Sequence, residues 1–217
     1  FLLGKKLPAI KALEKNYRPG LLEDTYLVSS IDILNEEPVS ASNVSGMVPG
    51  TDPVLKNEYI VVGAHLDHVK PVNGEVCNGA DDNASGSAGV IEIAEALAMN
   101  PGKRSVIFIT YTAEEMGLIG SRHFVNSNLF PAEKIKFNIN MDMIGHYENS
   151  DSANITIGHE AAYADLWDQL ANAHAGIDAE VGILSASDHW PFRQAGLDIL
   201  GLMEGTKSTH YHLRSDS

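Results

Sequence analysis

Three stretches of this chain climb through β-branched, apolar residues and stop on a group able to bind a metal. YIVVGAH ends on His65, VIFITYTAEE on Glu114 and Glu115, and FNINMD on Asp142. Short apolar runs of this kind, bounded by turn residues, read as buried strands. In an open α/β sheet, ligands gather at the carboxyl ends of the strands, so three such endings in one chain converge on one site. Imidazole and carboxylate together point to a metal centre.

The rest of the chain alternates strands with helices. Leu7, Ile10, Leu13 and Tyr17 fall at helical spacing over the first 25 residues, up to the stop at RPG, Arg18–Gly20. Strands are predicted at Tyr26–Leu34, Ser40–Met47, Tyr59–Ala64, Ser105–Tyr111, Phe137–Met141, Ile155–Ile157 and Ile199–Met203. A helix starts after Ser85, which is expected to cap it, with an apolar stripe of Val90, Ile91, Ala94, Leu97 and Ala98. Further helices are expected at Met116–Val125 and Glu160–Ala173. The order implies an α/β fold: a three-layer sandwich with a central mixed, mostly parallel sheet flanked by helices.

The net charge of -14 argues against a nucleic-acid partner, since no basic patch offsets it. Part of that charge has a natural use in holding cations. No run approaches the roughly 20 apolar residues of a membrane span. The single cysteine, Cys77, excludes an intrachain disulfide and leaves the redox compartment open. The opening FLLGKKLPAI lacks an initiator Met, and the chain is expected to be trimmed at its start.

Four more segments carry chemistry. His65 and Asp67 stand two residues apart, so a carboxylate can accept the second ring N–H of the histidine and fix its tautomer. NGADDNASGSAG sets Asp81 and Asp82 in a glycine-flanked loop, either folded around a cation or placed at a helix N-terminus. Glu114 and Glu115 repel each other if buried, and a cation relieves this by binding one and leaving the other to move a proton. Asp142 lies among apolar neighbours, where an unpaired carboxylate is costly. THYHLRSD supplies His210, Tyr211, His212 and Asp216.

GAHLDHV, ADDNASG, AEEMGLIGS, NMDMIG, SDHWPF and YHLRSD occur in the order and approximate spacing of the co-catalytic dizinc aminopeptidases, peptidase family M28. The resemblance runs from about Asn43 to Asp216. It implies a single zinc peptidase domain over residues 1–217, shorter at its C-terminus than the family usually is, and two Zn2+ per chain. His65, Asp82, Glu115, Asp142 and His212 match the metal ligands, with Asp82 bridging. Asp142 pairs with His65 on one ion or with His212 in the other arrangement, and the sequence leaves this open. Glu114 matches the general base, Tyr211 the oxyanion donor and Asp67 the carboxylate behind His65. A cis peptide at Asp82–Asn83 is also implied.

The implied reaction is hydrolysis of the N-terminal peptide bond by a water shared between two zinc ions about 3.5 Å apart. The implied partner is a peptide with a free N-terminus, with Trp190, Phe192 and Met203 as candidates for its side-chain pocket. The same resemblance points to a secreted, periplasmic or cell-envelope location and is silent on oligomeric state. His210 competes with His212 as ligand, and the YHxxxD spacing favours His212. His68 and His189 are near-site candidates; His123, His146, His159 and His174 are expected to be surface or structural. Leu213 replaces a threonine frequent in the family. Rival readings are a single-zinc glutaminyl cyclase, a related dipeptidase or carboxypeptidase, and a non-catalytic scaffold. Cobalt or manganese could also fill an N/O site.

Overall fold

Period-2 alternation decides which side of the sheet each strand residue faces, and here it separates two cores. In a computed structural model describing residues 40–71, 74–145, 153–158, 177–181, 187–204 and 210–216, Ala41–Ser217 forms one compact unit. The expected helix of the first 25 residues, the strand Tyr26–Leu34 and the helix Glu160–Ala173 lie outside the described residues. The strands are β1 (Val44–Val48), β2 (Tyr59–His65), β3 (Ser105–Tyr111), β4 (Ile135–Met141), β5 (Ala153–Gly158), β6 (Ile177–Val181) and β7 (Ile199–Glu204). They form one sheet in the order β1-β3-β2-β4-β7-β5-β6. The β2–β3, β2–β4, β4–β7 and β5–β6 pairs are parallel, while β1–β3 and β5–β7 are antiparallel.

On one face Val62, Ala64, Val106 and Phe108 pack with Val90 of helix α1 (Gly86–Met99). On the other, Val61, Ile107, Ile109 and Tyr111 pack with Phe124 of α2 (Ile119–Asn126) and Phe192 of α3 (His189–Gln194). Helix, sheet and helix thus make the three layers. The stripe of α1 is Val90, Ile93, Ala94 and Leu97; Ile91 is 57% exposed, so the expected stripe was one residue out of phase at that position. Ser85 has helical φ/ψ and no capping bond. Its hydroxyl instead donates to Asp81 O and accepts from Ile144 N, because the turn before the helix, Ala80–Ser85, uses it to hold itself together. Helix α2 starts later than expected, since Gly117 (φ 105°) and Leu118 (φ 61°) lie in the left-handed region ahead of it.

Register fixes the site. Gly63 pairs with Asn140 and His65 with Tyr111, so two residues beyond Gly63 and Asn140 the chain reaches His65 and Asp142 at one level. Tyr111 brings Glu114 and Glu115 just past that level. Among the described residues no helix is long and apolar enough to cross a membrane.

Gly63 leaves room for the Tyr111 ring, which a Cβ there would meet at 2.5 Å. Gly63→Ala is expected to cost about 1–3 kcal/mol through overpacking. Urea unfolding checks this: the midpoint should fall with the slope unchanged, and an unchanged midpoint would refute the tight fit.

Candidate metal centre

The carboxyl ends of β2, β3 and β4, the turn Ala80–Ser85 and the segment 210–216 meet at one point. His65 ends β2 and is 1% exposed. Its Nδ1 donates to the backbone carbonyl of Asp67 (2.9 Å), which fixes a proton on that nitrogen and turns Nε2 inward toward the carboxylates. His65 Nε2 lies 3.3 Å from Asp82 Oδ1 and 3.3 Å from Asp142 Oδ1. On the other side, His212 Nε2 lies 3.1 Å from Asp82 Oδ2 and 3.2 Å from Glu115 Oε2. Asp82 therefore turns one oxygen to each histidine.

The candidate ligands are held by bonds from elsewhere in the fold. Backbone N–H groups of Asp81 and Asp82 donate to the two carboxylate oxygens of Asp216 (2.7 and 3.1 Å). Asn83 Nδ2 donates to Met141 O, and its Oδ1 accepts from Gly86 and Met143 N–H, which ties the turn to the end of β4. The Asp82–Asn83 peptide is cis. Asn140 Nδ2 donates to Ser187 Oγ (2.8 Å), and that hydroxyl donates to Asp142 Oδ2 (2.7 Å). Ser87 Oγ donates to His65 O. Ala113, Met143 and His212 have φ of 55°, 54° and 56°, each beside or at a candidate ligand. Non-glycine residues held there cost about 1–3 kcal/mol each and gather at functional sites.

Ligand atoms of a tetrahedral zinc with bonds of about 2.0–2.1 Å stand roughly 3.3 Å apart. The imidazole–carboxylate separations above are of that size. His212 Nε2, both ring nitrogens of His68 and Glu115 Oε1 are buried without a hydrogen-bond partner. They lie close to opposite partners yet are not aligned on them, as expected of donors aimed at a shared cation. Two groups of candidate ligand atoms, each within 4.8 Å, are His65 with Glu114 and Asp142, and His68 with Asp82 and Glu115. The donor set of imidazole and carboxylate suits a divalent ion such as zinc.

The sequence profile of peptidase family M28 matches residues 43–217. The chain belongs to this family. It is 33% identical over 206 residues to leupeptin-inactivating enzyme 1 of Streptomyces exfoliatus, covering 89% of this chain and 43% of that protein. With aminopeptidase YwaD of Bacillus subtilis strain 168 it shares 31% over 172 residues, covering 74% and 36%. The chain thus spans less than half the length of either relative. Of solved structures, the zinc aminopeptidase BSAP from Bacillus subtilis superposes with a TM-score of 0.70 at 27% identity, over 81% of this chain and 44% of that one. A glutaminyl cyclase from an Acidobacteriales bacterium superposes at 0.65 and 22% identity, over 81% and 65%, and shares the fold.

Asp67 meets His65 through its backbone carbonyl. Its carboxylate accepts instead from the N–H groups of Glu114 (3.0 Å) and Glu115 (3.3 Å), so it anchors the glutamate turn. A side chain two residues past the end of a strand is free to turn toward a partner far along the chain. Phe192 is 0% exposed and packs edge-on and tilted against Tyr111 and Phe124, so it belongs to the core and not to a substrate pocket. His210 Nδ1 is 2.8 Å from Ser215 Oγ, and His212 takes the place beside Asp82. His189 is buried against Gly201, while His123 is exposed; His146, His159 and His174 lie outside the described residues. Tyr211 stacks on the His212 ring at 3.7 Å. Ser187 and Asp216 were missed as positioning residues, although both sit in motifs visible in the sequence.

Burial works against a charge on His65, but Asp142 and Asp82 hold the imidazole proton so firmly that its pKa rises to about 12. The same negative field that holds this proton would hold a cation. Burial, reinforced by Asp142, Asp188 and Glu115 against the opposing pull of His65, pushes Glu114 up to about 8. Burial likewise pushes Asp188, 0% exposed, up to about 7.

A carboxyl with a raised folded pKa binds its proton more tightly folded than unfolded. Its contribution is therefore complete below the ordinary carboxylate range and is lost as pH rises through the folded value. The metal-free protein should lose thermal stability between about pH 5 and 8, and Asp188→Asn should recover several degrees at the upper end. Melting in a chelator across this range tests it; a flat profile would contradict the assignment.

Proposed function

We propose that this chain carries the catalytic centre of a zinc aminopeptidase that hydrolyses the N-terminal peptide bond of peptides. The observation that carries the reading is Asp82, with one carboxylate oxygen 3.3 Å from His65, which also meets Asp142, and the other 3.1 Å from His212, which also meets Glu115. His65, Asp82 and Asp142 would hold one ion, and His212, Asp82 and Glu115 the other. Its relatives, an aminopeptidase and a zinc aminopeptidase among them, support the same class.

Bound there, zinc supplies Lewis acidity toward the scissile carbonyl and toward the attacking water. The chain's own residues do the rest. Glu114, poised near neutrality by burial, takes the proton of the water and delivers it to the leaving amine. Asp67 keeps Glu114 and Glu115 in place through their backbone N–H groups. Tyr211 donates its hydroxyl hydrogen to the carbonyl oxygen as charge develops there. Burial and then Asp82 and Glu115 raise that hydroxyl to about 12, so it stays a donor throughout the neutral range. Four clustered carboxylates favour a cationic α-amine over a blocked one. A substrate with a free N-terminus fits this field, and a nucleic acid does not.

Two zincs per chain are expected, with cleavage of free aminoacyl anilides and none of their N-acetylated forms. Glu114→Gln should keep the zinc and lower kcat by about 100- to 10,000-fold. Metal analysis and steady-state kinetics check both. Release of ammonia from a glutaminyl peptide without hydrolysis would assign the chain to cyclase chemistry instead.

A further inference from the structure

His68 stands outside the five-ligand set, yet the fold aims it at the same point. It follows the strand end in GAHLDHV, and its side chain is 12% exposed. Nδ1 lies 3.2 Å from Glu115 Oε1 and 4.0 Å from Asp82 Oδ2. Its ring meets the ring of His212 edge-on, with centroids 5.8 Å apart. Gly79, at φ 67°, forms the wall behind it: a Cβ there would come within 2.7 Å of the imidazole Cγ. Neither ring nitrogen finds a hydrogen-bond partner, and neither does Glu115 Oε1 at 3.2 Å. Two imidazoles thus flank Glu115, one at each oxygen, and both reach Asp82 Oδ2.

A histidine this enclosed, with both nitrogens unpaired, would be costly as a mere packing residue. As a hydrogen-bond donor to Glu115 it has the distance but not the alignment. As a ligand it accounts for both observations, because the electron pairs of an imidazole and a carboxylate aimed at one ion do not aim at each other.

Building on the zinc reading above, we propose that His68 is a further ligand of the ion held by Asp82, Glu115 and His212, so that this ion has two imidazoles and the ion at His65 has one. Four protein ligands around one ion complete a tetrahedral shell of the closed kind, whereas three leave a place for water or substrate. The two positions then differ in function as well as in strength. The ion at His68 and His212 is the retained one, and the ion beside His65 and Glu114 is the exchangeable one with the open place.

The test uses the full chain loaded with one equivalent of zinc or cobalt, and His68→Ala and His68→Asn variants. Asparagine keeps an amide donor near the Nδ1 position, so it allows a hydrogen bond to Glu115 while supplying a poor zinc ligand. X-ray absorption at the zinc edge is expected to count two imidazoles on the tighter ion of the parent and one in both variants. Chelator competition should show at least a tenfold weaker tight site in both, and added imidazole should restore the alanine variant. Cobalt spectra should show the same loss of a nitrogen donor. An unchanged imidazole count and affinity in either variant overturns the proposal, as does full recovery by asparagine, which would make His68 a positioning donor. A parent chain that binds no zinc at all fails the zinc reading itself, before His68 is in question.

Discussion

Four carboxylates that should repel one another are gathered around Asp82, and the architecture follows from keeping them there. Asp82, Glu114, Glu115 and Asp142 come from two strand ends and one turn, with His65 of a third strand end and His212 set among them. No hydrophobic force assembles such a group. The sheet does so indirectly, since register between β2, β3 and β4 carries the strand ends to one level and the two apolar cores lock that register. The remaining repulsion is what a divalent cation relieves.

Holding the acids apart at fixed distances falls to neutral groups. Backbone N–H donors bind the carboxylates that support the ligands: Asp67 accepts from the glutamate turn, and Asp216 from the turn that carries Asp82. Ser187 and Asn140 form a two-step chain of hydrogen bonds that ends on Asp142. These bonds consume the rotational freedom of the acids, which is how a centre becomes preorganised instead of merely charged.

Strand ends were readable because their apolar runs are local, and three of the five candidate ligands lie within a few residues of one. His65, Glu115 and Asp142 were recognisable on that ground, and Asp82 and His212 through the motifs. What stayed hidden depends on distant partners. Asp67 turns to amides 47 and 48 residues on, a contact that no local pattern encodes. Ile177–Val181, sequence IDAEV, forms an edge strand although two of its five residues are acidic, because pairing with β5 supplies what its composition does not. Phe192 reads like a pocket aromatic beside Asp188 and His189, but Tyr111 and Phe124 enclose it. The choice between His210 and His212 likewise required the fold of the segment 210–216, where His210 turns to Ser215.

The bonds from Asp216 to Asp81 and Asp82 span 135 and 134 positions of sequence. Contacts that distant form late, because a long loop must close before they give anything back. The parallel strands can therefore pair while the turn around Asp82 is still without its clamp. During synthesis, a chain emerging from the ribosome would have its parallel strands paired before the turn around Asp82 was held in place. The clamp on the Asp82 turn closes only once the segment carrying Asp216 has docked, and that same segment brings His212 beside Asp82.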